Sequence, residues 1–320
     1  MLAGRRNRAL AARWSSGLVA ALIVAGLPTT TDATASSVPV PPRYLSKPFH
    51  RIKPATTDSS FLAAMDAAGG LIVVAEPQRV AAFVVSNDSI TSTGAVASDI
   101  RALRVSTDGV RVAVLGHQPE LGPDTSEVRV FERGQAGWVE TAELSLPDPD
   151  QRPVSVVVEG DRAVVGAGPT TLDPGLWSVY VFEHNDAGGW EVSAQIDQTT
   201  PNAARSFGAS LDLSGDRLVV NDGPSMVRSF DRVSGAWEQS GTVELDTSGE
   251  ISLAVLGDTL LVGQQNYSLP FGIEGPKNNI GRADFYGHDG ASWVHAAYTD
   301  GNANEGRLGA SVALSHDIAI

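Results

Sequence analysis

The chain has no cysteine among its 320 residues. This absence excludes thiolate catalysis, cysteine-ligated zinc and lipid attachment through an N-terminal cysteine. The sequence also lacks a phosphate-binding loop, a Gly-x-Gly-x-x-Gly turn and the Gly-x-Ser-x-Gly elbow of many hydrolases. Its six histidines include no pair at the short spacing of a zinc site. From these absences we expect a chain that needs no cofactor and is not an enzyme.

Basic residues and long apolar runs are also scarce. The chain has 23 Lys and Arg against 37 Asp and Glu, a formal net charge of −14. An acidic surface repels phosphate backbones, so we expect neither a nucleic-acid partner nor attraction to anionic membranes. The apolar run at residues 17–27 is shorter than the roughly 20 residues that a membrane-spanning helix needs.

The N-terminal segment has the features of a secretory signal. Four arginines come before or at the start of the apolar run, and Ala33-Thr34-Ala35 follows it as a small-x-small cleavage site. We therefore predict a signal peptide at residues 1–35, a linker at 36–58 and a repeat domain at 59–320. The mature protein is expected to be secreted or held at the cell surface, without a membrane span.

Two sequence markers recur in fixed order through the repeat domain. The first is a turn glycine followed by a short apolar run, at Gly69, Gly109, Gly160, Gly215 and Gly257, with His316 in the sixth position. The second is a tryptophan that follows a strand pattern and a Gly-containing turn, at Trp138, Trp190, Trp237 and Trp293. Most of these turns are separated by about the 40 to 50 residues of a propeller blade. Because these residues recur by repeat position, we interpret them as structural, with the tryptophans packed between blades.

The fourth unit shows how such a repeat folds. Apolar residues alternate from Phe207 to Leu213, so they line one face of a strand. A turn at Gly215-Asp216 leads to a short apolar strand, a third strand ends at Phe230, and a fourth begins at Trp237. Four antiparallel strands per unit predict an all-β propeller with about five full blades and the start of a sixth. A β-sandwich of unrelated hairpins is the alternative, which the fixed order of the two markers disfavours.

The fourth and sixth units resemble the FG-GAP repeat. The matching residues are Phe207-Gly208-Ala209-Ser210 and Leu213-Ser214-Gly215-Asp216, together with Val179-Tyr180-Val181-Phe182 and Trp190 in the third unit. This repeat builds the propeller of integrin α-chains and of many secreted bacterial proteins. The resemblance covers roughly Ser60 to Ile320, is least complete in the first two units, and implies a propeller that serves adhesion.

The sixth unit stops at Ile320, inside its expected second strand. A blade of two strands exposes an unpaired edge, and ring closure usually needs a complete terminal blade. We therefore expect the natural reading frame to continue through at least one more tryptophan marker.

Loop insertions indicate where a ligand would bind. They fall between the second and third strands of a unit, at residues 116–126, 168–178 and 264–280. Insertions of this kind map to one face of a propeller, which is often the binding face. The candidate ligand-binding residues are Trp177, Tyr267, Phe271, Asn278 and Asn279, although neutral variation of surface loops explains the insertions equally well.

A calcium site has one candidate in the sequence. The loop Asp-x-Asp-x-Asp-Gly of integrin-type repeats is missing, and the nearest pattern places oxygen donors at Asp300, Asn302, Asn304 and Glu305. We favour a polar turn between blades for this segment.

Three classes of function remain open from the sequence. We expect a non-catalytic scaffold that binds an unknown protein partner, because the family resemblance favours it. A glycan-binding, lectin-like propeller is the first alternative, although the loop aromatics are not equivalent between blades. A hydrolase or lyase on a propeller is the second alternative, although the sequence shows no cluster of acids or histidines for it.

Overall fold

The computed structural model describes residues 64–76, 79–86, 89–117, 126–170, 176–185, 188–198, 206–246, 249–269, 278–315 and 318–319. The predicted signal peptide, the linker and the start of the repeat domain lie outside this range, so their boundaries remain predictions. The described residues form strands, turns and loops, and they include no helix long and apolar enough to cross a membrane.

The strands form five four-stranded sheets and one two-stranded sheet. Blade 1 contains β1 (Ala64–Ala68), β2 (Leu71–Glu76), β3 (Arg79–Ser86) and β4 (Ser89–Ala97). Blade 2 contains β5 (Arg101–Thr107), β6 (Arg111–His117), β7 (Ser126–Gly134) and β8 (Gly137–Glu143). Blade 3 contains β9 (Gln151–Glu159), β10 (Arg162–Pro169), β11 (Ser178–His184) and β12 (Trp190–Asp197). Blade 4 contains β13 (Leu211–Ser214), β14 (Arg217–Asn221), β15 (Met226–Val233) and β16 (Ala236–Glu244). Blade 5 contains β17 (Ile251–Leu256), β18 (Thr259–Gln264), β19 (Arg282–His288) and β20 (Trp293–Asp300). The two-stranded sheet contains β21 (Leu314–Ser315) and β22 (Ile318–Ala319).

The five large sheets are the blades of a β-propeller. Each is an antiparallel meander whose strands pair in sequence order. The first strands of successive blades contact one another, so they line the centre of the ring. A separate apolar core fills each interface between neighbouring blades, and a smaller one joins blade 5 to the two-stranded sheet. The predicted fold, five four-stranded blades and the beginning of a sixth, is confirmed.

The marker glycines lie in the turn between the first and second strands of blades 1 to 5. Gly215 shows why glycine is used there, since its φ of 58° is a conformation that other residues rarely adopt. Gly208 has a different role, because it approaches the backbone of Gly166 in the preceding blade. A Cβ added at Gly166 would overlap the carbonyl oxygen of Gly208, so this glycine pair allows blades 3 and 4 to pack closely.

An arginine on the second strand connects each of blades 2, 3 and 4 to the next blade. In blade 4, the Arg217 guanidinium bonds Asp231 of its own blade at 2.8 Å and Asp258 of blade 5 at 2.7 Å. It also lies 5.3 Å from the centre of the Trp293 ring. Arg111 reaches Asp161 and Trp190 in the same way, and Arg162 reaches Asp216 and Trp237. All four marker tryptophans are half-buried between blades.

Side chains of the inner strands also bond to the following blade. Asp212 accepts a hydrogen bond from the amide of Val255 at 2.7 Å, and Asp66 accepts one from the amide of Thr107 at 2.7 Å. Ser106 fills the equivalent position in blade 2 and accepts a bond from Val158 at 3.1 Å. These contacts satisfy amides on the free edge of the inner strand, which would otherwise lack a partner. Burial raises the pKa of Asp66, and it raises the pKa of Asp212 to about 7.

Candidate functional site

A set of polar and aromatic side chains gathers at the end of blade 5 where the 264–280 insertion joins the sheet. We call it the blade-5 cluster, and it consists of Gln264, Tyr267, Arg282, Asp284, Tyr286, His295, Tyr298 and Asp300. Except for Tyr267 in the inserted loop, these residues lie on β18, β19 and β20, so a sheet positions them rather than a loop.

The pairing of β19 with β20 determines which side chains share a face. Arg282 pairs with Asp300, Asp284 with Tyr298, and Tyr286 with His295. The register shifts between Phe285 and Tyr286, which leaves one extra residue on β20 between His295 and Ala297. Because of this β-bulge, His295 and Tyr298 lie on one face although they are three residues apart. The face is directed towards blade 4, since Tyr286 packs in the core between the two blades.

The centre of the cluster is a histidine held by a buried carboxylate. Nε2 of His295 lies 2.9 Å from Oδ1 of Asp284, and the amide of Gln264 donates to the other oxygen of Asp284 at 2.7 Å. Asp284 is 3% exposed, whereas the His295 side chain is 45% exposed. The Tyr286 ring meets the imidazole edge-on at 5.2 Å, and burial raises the pKa of Tyr286 to about 12. The imidazole is therefore oriented from inside the protein and open to solvent outside.

Beside this pair, an arginine is stacked between two tyrosines. The guanidinium carbon of Arg282 lies 3.7 Å from the centre of the Tyr267 ring and 4.2 Å from that of Tyr298. Nε and Nη2 donate to the two oxygens of Asp300 at 2.6 and 3.3 Å. Burial alone would lower the pKa of Arg282, but the bond to Asp300 and its charge raise the pKa above its ordinary value. Tyr298 is 56% exposed, so much of its ring faces solvent.

Blade 5 differs from the other blades in the side chains at the positions of Asp284 and His295. The position of Asp284 in the third strand is held by Arg129 in blade 2, Tyr180 in blade 3 and Arg228 in blade 4. Arg129 lies 3.5 Å from Glu140, which occupies the place that His295 takes in blade 5. The place of His295 is taken by Val192 in blade 3 and by Gln239 in blade 4, so an acid beside a histidine is found in blade 5 alone among the described blades that carry the marker tryptophan. A pair that the other described blades do not repeat is not part of the shared repeat structure, which makes it a candidate for a specific role.

The predicted ligand-binding residues are divided among different places. Tyr267 belongs to the blade-5 cluster, and the amide of Asn279 donates to both carboxylate oxygens of Glu305 at 3.2 Å beyond it. Asn278 does not belong to the cluster, but its backbone amide donates to the side-chain oxygen of Asn304 at 3.0 Å. Trp177 lies elsewhere, against Gly168 and the core between blades 3 and 4. Phe271 lies outside the described residues.

The predicted calcium ligands are engaged in other contacts. Both oxygens of Asp300 bond Arg282, Glu305 bonds Asn279, and Asn304 accepts a bond from the backbone of Asn278, while Asn302 is exposed. In the parts of the chain that the structure describes, no group of three histidines or acids could hold a metal ion. The donors of Asp300, Asn304 and Glu305 therefore face protein partners, and the polar turn favoured from the sequence stays a prediction.

Sequence reasoning missed Asp284, His295, Arg282 and Tyr298. Nothing in the spacing of the histidines linked His295 to an acid. The substitution of Asp284 for the arginine or tyrosine of the Val-x-Val-Phe pattern was the available signal. The bulge that aligns the side chains has no signature of its own in the sequence.

Comparisons with known proteins show the fold and no family. No family model matches the chain, and no curated protein matches it, so the FG-GAP resemblance is not confirmed. Solved structures that resemble it include a candidate 6-phosphogluconolactonase from Bacteroides fragilis NCTC 9343, with a TM-score of 0.51 at 13% identity over 80% of this chain and 74% of that chain. A chain of the mitotic checkpoint complex aligns with a TM-score of 0.46 at 13% identity, over 92% of this chain and 93% of that one.

The expectation that the chain is not an enzyme is corrected by the first of these structures. A propeller of the same kind is described there as a lactonase, so this fold does not argue against catalysis. The expectation was wrong because it relied on missing linear motifs. Polar groups on neighbouring strands of a blade, such as Gln264, Asp284 and His295, are brought together by the pairing of the sheet, and no short motif records such an arrangement.

Proposed function

We propose that this protein is a propeller hydrolase of esters or lactones, with the blade-5 cluster as its active site. One observation carries the proposal: the buried carboxylate of Asp284 orients the half-exposed imidazole of His295. A carboxylate that accepts one ring N–H of histidine fixes its tautomer and leaves the other nitrogen as a base. The bond to Asp284 uses Nε2 of His295. Among the described residues, none forms a hydrogen bond with Nδ1, so this nitrogen is available to a water molecule.

The proposed reaction needs only water and the ester. Nδ1 of His295 accepts a proton from water while the water oxygen bonds the carbonyl carbon of the substrate. The carbon–oxygen ester bond then breaks, and the leaving alkoxide takes the proton back from the imidazolium. Asp284 stabilises the transient positive charge on the imidazole, and Gln264 holds Asp284 in place. In this reaction His295 is the catalytic residue, while Asp284 and Gln264 are positioning residues.

The name of one structural neighbour supports this class of reaction. Lactonases hydrolyse cyclic esters, and the protein from Bacteroides fragilis is described as a candidate lactonase. At 13% identity the likeness itself extends to the fold alone, so the proposal depends on the geometry of His295 and Asp284.

Hydrolysis of p-nitrophenyl acetate and of δ-lactones by the purified protein tests the proposal. We expect His295→Gln to lower kcat about 100-fold or more, since general bases typically contribute that much. Asp284→Asn should lower kcat and leave KM nearly unchanged. His184→Gln is the matched control, because His184 packs edge-on against Trp190 at 5.2 Å in blade 3 and should not affect the rate. A wild-type rate no higher than that of buffer, or an unaltered rate in His295→Gln, would overturn the proposal.

A second candidate function is ligand binding at the same end of the propeller. The exposed Tyr298 ring and the neighbouring inserted loop favour it, and the partner would be a protein or a glycan outside the cell. For this second function, we also propose that the protein is secreted and that its repeats are related to the FG-GAP type. Glycan-array binding run beside a pull-down from the cell-surface fraction would separate a glycan from a protein partner.

A further inference from the structure

The charge of the blade-5 cluster limits which substrates it can accept. Arg282 is the cation of the cluster, and it is already neutralised by Asp300 through two hydrogen bonds. Both faces of its guanidinium are covered by the rings of Tyr267 and Tyr298. Recognition of a phosphate usually needs an arginine with free paired donors. Asp300 occupies one paired-donor edge of Arg282 and balances its charge, so a phosphate would gain less from Arg282 than from an arginine without a counter-ion.

The charges around the cluster are mainly negative. Asp246 and Asp284 act on the Tyr286 hydroxyl, where they oppose its ionisation and help burial to raise its pKa. Asp246 and Asp300 act in the same direction on Tyr267. The chain as a whole carries a formal net charge of −14. A substrate with a phosphate group would meet electrostatic repulsion on approach, whereas a neutral substrate would not.

The exposed tyrosine offers a surface for a ring-shaped substrate. Arg282 covers one face of Tyr298, and the ring is 56% exposed. An aromatic ring with one open face packs well on the C–H groups of a sugar ring, while its hydroxyl remains available for hydrogen bonding. The centre of the His295 ring lies 6.1 Å from that of Tyr298. A sugar ring on Tyr298 would therefore lie beside the proposed base.

We propose that the blade-5 cluster takes an uncharged sugar lactone or sugar ester and rejects its phosphorylated counterpart. This inference rests on the proposed hydrolase function and names its substrate class. The stacking surface is Tyr298, and the neutralised pair of Arg282 and Asp300 is the element that sets specificity. Asp300 thus weakens the attraction of Arg282 for an anionic substrate.

Two lactones and their stable analogues test the inference. Hydrolysis is measured for glucono-δ-lactone and for 6-phosphoglucono-δ-lactone, and binding is measured by calorimetry with the corresponding lactams, which resist hydrolysis. We expect kcat/KM for the neutral lactone to exceed that for the phosphorylated one at least tenfold, with the lactams in the same order of affinity. Tyr298→Ala should weaken neutral-lactam binding about tenfold, and Tyr298→Phe should preserve it.

A variant that should gain affinity for the phosphorylated lactam provides a second test. Asp300→Asn removes the counter-charge of Arg282, so it should strengthen binding of the phosphorylated lactam several-fold and leave the neutral lactam nearly unaffected. Tighter binding of the phosphorylated lactam by the wild-type protein, or binding of neither lactam, would overturn the inference. Binding of the neutral lactam without hydrolysis of either lactone would overturn the proposed hydrolase function while supporting the substrate class.

Discussion

Asp212 makes the stability of the propeller depend on pH. Its carboxylate lies at the centre of the ring on β13, where burial raises its pKa from 3.8 to about 7 and the charges of Asp66 and Glu159 raise it further. The bonds from the amides of Val255 and Leu213 lower the pKa, but they do not compensate for burial. The folded state therefore prefers the protonated acid, and the unfolded state does not.

The size of the effect follows from the pKa difference. A folded-state pKa above the unfolded value means that the folded protein binds more protons, so stability falls as pH rises between about 4 and 7. At about 1.4 kcal/mol per pKa unit, a shift of roughly three units corresponds to an upper limit of about 4 kcal/mol. Asp212 is only half-buried, so solvent at its exposed part screens some of this cost. We therefore expect about 2 kcal/mol.

The variant Asp212→Asn cannot ionise and still offers an oxygen to the Val255 amide. At pH 8 it should be more stable than the wild-type protein by about 2 kcal/mol, which raises Tm by about 5 °C for a domain of this size. At pH 4 the two proteins should melt at nearly the same temperature, because the wild-type acid is then mostly protonated.

Thermal denaturation followed by circular dichroism at pH 4, 6 and 8 measures this difference. Glu238→Gln, an exposed acid on β16, is the control and should leave the pH profile unaltered. A Tm difference between Asp212→Asn and wild type that stays constant from pH 4 to pH 8 would refute the reasoning. A variant less stable than wild type at pH 8 would refute it as well.

Four further predictions concern the repeats and the ends of the domain. Trp237→Ala should destabilise the protein by about 3 kcal/mol, because it removes a ring packed between blades, and an unaltered Tm would show that the ring contributes no packing. Gly166→Ala should destabilise the fold by about 2 kcal/mol or more, because the added methyl group forces blades 3 and 4 apart. The comparison is Gly188→Ala, where the space is open and only backbone strain is expected. Millimolar Ca²⁺ should leave Tm unaltered, and a rise of many degrees that a chelator reverses would contradict a simple turn at residues 300–305. N-terminal sequencing of secreted protein should begin near Ser36, and recovery of Met1 would contradict the predicted signal peptide.

The blades were predictable because a repeat shows the same pattern several times. Alternating apolar residues, a turn glycine and a tryptophan recur in order, and local chain geometry turns each pattern into strands. The arginines at positions 111, 162 and 217 were not recognised, although they too recur two residues after the turn glycine. Each acts on the following blade, and the pattern of one unit does not show that such a residue contacts the next unit.

The blade-5 cluster was only partly predictable for a different reason. The insertion at 264–280 pointed to the right end of blade 5 and identified Tyr267. The pairing of His295 with Asp284 depends on strand register, and its alignment with Tyr298 depends on the bulge. Simple alternation would have placed His295 and Tyr298 on opposite faces of the sheet. Register and bulges arise from packing of the whole sheet, so the sequence of one strand does not specify them.

The arginine contact between blades has a direction. Blades 3 and 4 each receive an arginine at the Gly-Asp turn from the blade before, and each extends an arginine to the turn of the blade after. One repeat therefore contains both complementary surfaces of a head-to-tail contact, as subunits do in a cyclic oligomer. Tandem duplication of such a unit would repeat the arginine–aspartate contact on both sides of the inserted blade. A single excised unit would likewise carry both halves of this contact.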